Sequence, residues 1–225
     1  VARPVDPCHQ LAAVTRAVQR AGGEAVLFEQ VAGSPLPVVS NLFGDHARLC
    51  AMIGTGAQTF CQRWNALTDA AATAPADTVT RPATPAESAG FVSGTLSDLP
   101  AITWHGRDGG PYFTSAIYLA NDPDTGVPNL SFHRSQQISD QELRVRLGGT
   151  HDLARYQRAA EEKGEALAAA LILSAPPEIF LSACASLPYE ASELAMAAQI
   201  RGEPLAMRKC VTLDLEVPAS ADIVV

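Results

Sequence analysis

The stretch NDPDTGVPNLSFHR, residues 121 to 134, decides how the second half of the chain reads. Asn121-Asp122-Pro123-Asp124-Thr125-Gly126 is a turn. Proline presets φ, aspartate side chains bond nearby backbone N–H groups, and glycine accepts left-handed backbone without strain. Tyr112 to Ala120 before it and Asn129 to Gln137 after it are strand candidates.

Working outward, Ile102 to His105, Glu142 to Leu147, Ala168 to Leu173, Ala206 to Lys209 and Leu213 to Glu216 also read as strands. Helical stretches are expected at Asp152 to Lys163 and Ser192 to Ile200. Many short strands and few long helices favour a small barrel or sandwich over a doubly wound sheet. Upstream, Asp6-Pro7 opens a helix that Gly22-Gly23 closes, with Leu11, Val14 and Val18 at helical spacing and Asp6 as its capping residue. Strands at Ala25 to Phe28 and Val38 to Leu42, then helices at Asp45 to Ile53 and Gly56 to Asn65, make an α/β opening. From Thr68 to Gly90 the composition turns to Ala, Thr and Pro. Pro75, Pro82 and Pro85 predict a surface connector there. The expected organisation is α+β: residues 1–98 form an N-terminal α/β unit with its connector, and residues 99–225 form a β-rich domain.

With 225 residues and 47% hydrophobic content the chain can bury a sizeable core. The net charge is −8, and the 16 Lys and Arg are scattered without interleaved aromatics, which argues against nucleic acid as a partner. Five cysteines, at 8, 50, 61, 184 and 210, form no CxxC pair and predict reduced thiols, hence a cytoplasmic location. The longest apolar stretch, Ala166 to Ser174, is too short to span a bilayer, so no membrane partner is expected. The sequence begins at Val1 without Met, and residues in front of it are expected.

Generic motifs offer little. There is no GxxxxGK[ST], no strand-linked GxGxxG, no HExxH and no GxSxG. Gly109-Gly110-Pro111 reads as a turn. His9, His46 and His105 stand in ordinary contexts, while His133 shares a face with Asn129 and Ser131 only if its strand has no bulge. His151 follows Gly148-Gly149-Thr150 at a helix start, where backbone amides favour an anion such as phosphate; on local context alone it reads as a capping or packing residue. Glu193, near the start of its own helix, would most simply compensate the helix dipole.

Taken in order, these residues resemble the UbiD family of prenylated-flavin decarboxylases. The similarity lies in FEQVAGSPLPVVSNLFGDHARLCAMIG (Phe28 to Gly54), in LPAITWHGRDGGPYFTSAIYLANDPDTGVPNLSFHR (Leu99 to Arg134), in the His151 helix with GEALAAALIL behind it, and in LPYEASELAMAAQIRGEPLAMRKCVTLDLEVPASADIVV (Leu187 to Val225). The resemblance implies reversible decarboxylation of aromatic or α,β-unsaturated carboxylic acids on prenylated FMN, bound in a split β-barrel related to flavin reductases. It implies that Asn129, His151 and Glu193 hold Mn²⁺ or Mg²⁺, with K⁺ nearby, against the flavin phosphate. An amide oxygen and a carboxylate suit a hard cation, and one imidazole is compatible with Mn²⁺. Arg134 matches the active-site arginine, whose guanidinium can hold a carboxylate by two parallel hydrogen bonds. Ser131, Phe132 and His133 match cofactor-lining positions, as do Cys184 and Ser186 within Ala183-Cys184-Ala185-Ser186.

The resemblance also implies a flavin prenyltransferase that supplies the cofactor, and an oligomer. The family's glutamate pair around a Gly-Pro-Phe-Gly element, one member of which is the proton donor, and its C-terminal α/β domain are expected beyond Val225. Without that acid a rate loss of roughly 10² to 10⁴ is the ordinary expectation. A piece of a longer decarboxylase, a subunit completed by a partner chain, and a flavin-binding or assembly module without turnover all accommodate this.

Overall fold

The structure is a computed structural model describing residues 1–90 and 92–225. The chain divides into two compact units that alternate along the sequence. One comprises Val1–Ala51, Phe91–Thr114 and Arg134–Arg146, the other Met52–Gly90, Ser115–His133 and Leu147–Val225.

In the first unit the helix Gln10–Ala21 lays Leu11, Val14 and Val18 against Val5, Val26, Phe28, Val31 and Ile102. This is the one-faced apolar spacing read from the sequence. Gly22 ends the helix, and Gly22 and Gly23 both donate to the Val18 carbonyl. Asp6 does not cap it. Its carboxylate accepts the Cys8 N–H in a turn two residues long, and the N-cap position falls to His9, at φ 68°. The strands Val26–Phe28 and Val38–Ser40 pair antiparallel. Tyr112–Phe113, Ser135–Gln137 and Leu143–Val145 form a three-stranded antiparallel sheet in that order. The strand expected at Ile102 to His105 reduces to two isolated bridges, Ile102 to Tyr112 and Thr103 to Cys8, because Asp108 folds back on His105 through both its backbone N–H and its carboxylate.

The second unit holds a four-stranded antiparallel sheet in the order Ile223–Val224, Ala170–Ser174, Ile117–Asn121, Pro128–Phe132. Register runs without a slip from Ile117 opposite Phe132 to Asn121 opposite Pro128, the NDPDTG turn closing the end. A second sheet takes Glu216–Pro218, Leu205–Lys209 and Thr80–Pro82 in that order, the last pair parallel. The helices Phe60–Thr73, Ala76–Val79, Asp152–Glu162, Pro177–Ser182 and Glu193–Arg201 belong to this unit. Ile117, Ile172, Ile179 and Met196 are fully buried.

Several expected boundaries move. The long strands expected at 112–120 and 129–137 each split, at the points where the chain passes from one unit to the other. The Ala-rich start of the connector continues the helix to Thr73. Thr80–Pro82 forms a strand in spite of its proline, since an edge strand can leave one N–H side unpaired. The strand expected at Leu213 to Glu216 begins only at Glu216, because the turn closed by Cys210 N–H on the Leu215 carbonyl uses up the residues before it. The helix Pro177–Ser182 was not expected; Pro at its first position and Glu178 in its first turn are its sequence signals. Among the described residues no sheet closes into a barrel, and no helix is long and apolar enough to cross a membrane.

Candidate functional site

Pro128–Phe132 is the edge strand of the four-stranded sheet, so alternate backbone N–H groups face out of the ladder. One of them, on Leu130, donates to Glu193 Oε2 at 2.9 Å. Asn129 Nδ2 donates to the same oxygen at 3.2 Å. On the adjoining face Ser131 Oγ donates to Asn129 Oδ1 at 2.8 Å and lies 3.0 Å from His133 Nε2. The strand therefore carries no bulge here, and Asn129, Ser131 and His133 share one face. His133 and His151 approach with ring centroids 5.2 Å apart.

Each member is delivered by a local device. Ser192 caps its helix through Leu194 N–H and sets Glu193 in the first turn, while Gly202, at φ 81°, ends the helix in left-handed backbone. His151 is the N-cap residue of Asp152–Glu162, but its side chain makes no capping hydrogen bond, and its ring is turned instead toward His133. A Cβ on Gly148 would stand 3.2 Å from His151 Nε2, so the missing side chain there makes room for the ring.

Burial shifts two members of the cluster. Burial pushes the Glu193 carboxyl up to about 7, against the Leu130 and Asn129 hydrogen bonds that pull it down. No ion pair among the described residues reaches it. Burial, with the neighbouring His151 adding to it, lowers His133 to about 4. Both groups are thus held toward their neutral forms, as burial dictates.

The structure brings Asn129, Ser131, His133, His151 and Glu193 together. Phe132 points elsewhere, its ring 5.6 Å from that of Phe180. Cys184 and Ser186 are exposed, and among the described residues no hydrogen bond or ring contact joins either to the cluster. Arg134 is exposed and belongs to the other unit, directly after His133 in the chain. Among the described residues no group of three or more His, Cys, Asp or Glu is arranged to hold a metal, and the Asn129–His151–Glu193 set supplies only two such side chains and an amide. Sequence reasoning missed the Leu130 amide, which no side-chain pattern can signal, and the Asp122–Tyr189 contact described below.

Residues 79–225 match the family model described as the 3-octaprenyl-4-hydroxybenzoate carboxy-lyase Rift-related domain, and residues 1–68 match that enzyme's N-terminal domain. The chain belongs to the UbiD family. An anhydromevalonate phosphate decarboxylase from Methanothermobacter thermautotrophicus is 39% identical over 141 residues, which are 60% of this chain and 33% of that protein. An uncharacterized protein in the cooM 5' region of Rhodospirillum rubrum is 33% identical over 89% of this chain and 44% of its own length. The UbiD-class enzyme HmfF from Pelotomaculum thermopropionicum, solved with FMN, superposes over all of this chain and 50% of its own with TM-score 0.88 and 31% identity. An evolved dimeric form of it, solved with prFMN, gives 0.86 at 31% identity, over all of this chain and 52% of its own. The chain thus spans about half the length of these relatives, or less. Its UbiD-class neighbours include decarboxylases, and the mixed α+β architecture is that of the matching half of UbiD-class structures.

Proposed function

We propose that this chain is the flavin- and metal-holding portion of a carboxy-lyase that releases CO₂ from an aromatic or α,β-unsaturated acid. The observation that carries the reading is the buried Glu193 carboxylate bonded to Leu130 N–H and Asn129 Nδ2, in a chain of a carboxy-lyase family. Asn129, His151 and Glu193 would hold Mn²⁺ or Mg²⁺, with K⁺ alongside, and through it a flavin phosphate. A cation fits this donor set, because a charge beside Glu193 would offset the desolvation that raises its carboxyl. Of Asn129, the amide oxygen is the group that would serve a hard cation. The helix starting at Asp152, behind Gly148-Gly149, favours an anion at its N-terminus.

Ser131 and His133 then orient Asn129 and the His151 ring. Neutral His133 offers one acceptor and one donor, and Nε2 is the nitrogen that faces Ser131 Oγ. Arg134 is assigned the substrate carboxylate, which its permanent charge holds by two parallel hydrogen bonds. In the reaction the bond from carbon to the carboxylate breaks, its electron pair stays with the carbon skeleton, and a proton takes the place of CO₂. A bound prenylated flavin supplies the sink for that pair. The domain around the cluster is read as the family's split barrel, the protein as cytoplasmic and oligomeric, and its cofactor as the product of a flavin prenyltransferase.

The test is coexpression of the full chain with a flavin prenyltransferase, followed by metal analysis, flavin absorbance and a screen for CO₂ release. Wild-type protein should retain Mn²⁺ and flavin, and Glu193→Gln should lose both. Retention at wild-type levels in Glu193→Gln would overturn the assignment. Retention without CO₂ release from any acid would favour a flavin-binding or assembly module over an enzyme.

A further inference from the structure

Asp122 is 3% exposed and is the most buried aspartate described, yet the site above does not use it. Its Oδ1 accepts the Asp124 N–H at 3.0 Å, and its Oδ2 accepts both Thr125 Oγ1 at 2.8 Å and the Tyr189 hydroxyl. The first two bonds belong to its own turn, which Asp122 N–H on the Val127 carbonyl and Gly126 N–H on the Asp122 carbonyl close. The third is long-range and crosses to the loop ahead of the helix Glu193–Arg201. On its other side Tyr189 carries the Arg155 guanidinium, 3.5 Å from the ring centroid, and Tyr156 meets it edge-on at 6.1 Å. The Tyr156 hydroxyl donates to the Val127 carbonyl and so returns to the turn.

These contacts tie together three elements that are remote in sequence, and each element also carries one proposed ligand. Asn129 lies two residues after Val127, His151 four before Arg155, and Glu193 four after Tyr189. A buried carboxylate with three donors is rigid, because leaving any lone pair unmade there is costly. A ring between that carboxylate's hydroxyl bond and a guanidinium has little freedom to slide. The turn, the His151 helix and the Glu193 loop are therefore held at one spacing.

We propose that Asp122, Tyr189 and Arg155 are positioning residues, a clamp that sets the separation of Asn129, His151 and Glu193 before any ion arrives. The ligand roles rest on the function proposed above; the clamp itself is read from contacts in the ligand-free chain. Holding a donor set at the right spacing beforehand removes an ordering cost from ion binding, and supporting residues of metal sites often change affinity without touching the metal.

Tyr189→Phe is the decisive variant, since it deletes one oxygen and keeps the ring under Arg155. Two readouts on the full chain separate the clamp from general stability. In ligand-free protein, hydrogen exchange at the Leu130 amide, which reports the bond to Glu193, should speed up about tenfold, while the Leu119 and Ile172 amides keep their wild-type rates. By titration, the Mn²⁺ dissociation constant should rise about tenfold with the ligand-free melting temperature nearly unchanged. Asp122→Asn, which keeps the acceptor for Asp124 N–H, should move both readouts the same way. Wild-type Leu130 exchange in Tyr189→Phe would overturn the proposal, as would faster exchange spread evenly over the whole sheet. Failure of wild-type protein to bind Mn²⁺ would overturn the proposed function instead, and Leu130 exchange would still decide the clamp.

Discussion

Glu193 Oε2 accepts the backbone N–H of Leu130 at 2.9 Å, a bond between a helix start and the outward side of an edge strand. A carboxylate there satisfies an amide that the sheet leaves unpaired, and it does so inside the protein, where its own charge is costly.

That cost makes the stability of the ligand-free chain depend on pH. The Glu193 carboxyl sits at about 7 when folded and near 4.5 when unfolded. Between those values the folded state binds more protons, so this group's contribution declines as pH rises. Its full size is up to about 3 kcal/mol. Glu193→Gln should therefore gain stability relative to wild type between pH 4.5 and 7, as measured by urea unfolding at each pH. His133, lowered to about 4, acts in the opposite sense, weakening the fold as pH falls from 6.5 to 4. Because His133 is present in both proteins, the difference between them isolates Glu193.

Mn²⁺ should reverse the ranking. At about 100 times its dissociation constant it should stabilise the wild type by about 2.7 kcal/mol, and Glu193→Gln much less. The gain should be smaller at pH 5 than at pH 7.5, because ligands must lose protons to bind. Thermal melts with and without the ion at the two pH values give all four numbers.

Gly148→Ala tests the room left for the His151 ring. A Cβ would stand 3.2 to 3.4 Å from three ring atoms of His151, so the ring must shift by a few tenths of an ångström. Mn²⁺ affinity should fall about tenfold, with folding stability altered by less than about 1 kcal/mol. Titration and urea unfolding of the same preparation check both.

In the four-stranded sheet, Ile172 is fully buried on a strand paired from both sides. Ile172→Ala should cost about 2–5 kcal/mol, and Ile172→Val about 0.5–1.5. Denaturant titration should show the midpoint falling with an unchanged slope.

Elements built from local patterns were readable in advance. The Leu11, Val14, Val18 spacing, the Gly22-Gly23 stop and the NDPDTG turn each place their own helix or turn through contacts only a few residues long. Asp6 was misread because its carboxylate had a nearer N–H to accept, and Thr80–Pro82 because its pairing partner lies over a hundred residues away. At the site, a period of two along Asn129, Ser131 and His133 pointed to a shared face, but whether that face was continuous depended on register with Ile117–Asn121.

By itself the sequence determined the mixed α+β character, because turn chemistry and periodicity act over short spans, and its motifs, in their order, carried the resemblance to the family. Only the tertiary structure decided that Glu193 is buried against the Leu130 amide, that the His151 ring turns to His133 instead of capping its helix, and that Tyr189 reaches Asp122. Those contacts join residues far apart in the chain. Their energies come from desolvation and from which groups are brought close, and both exist only once the sheets and helices have packed.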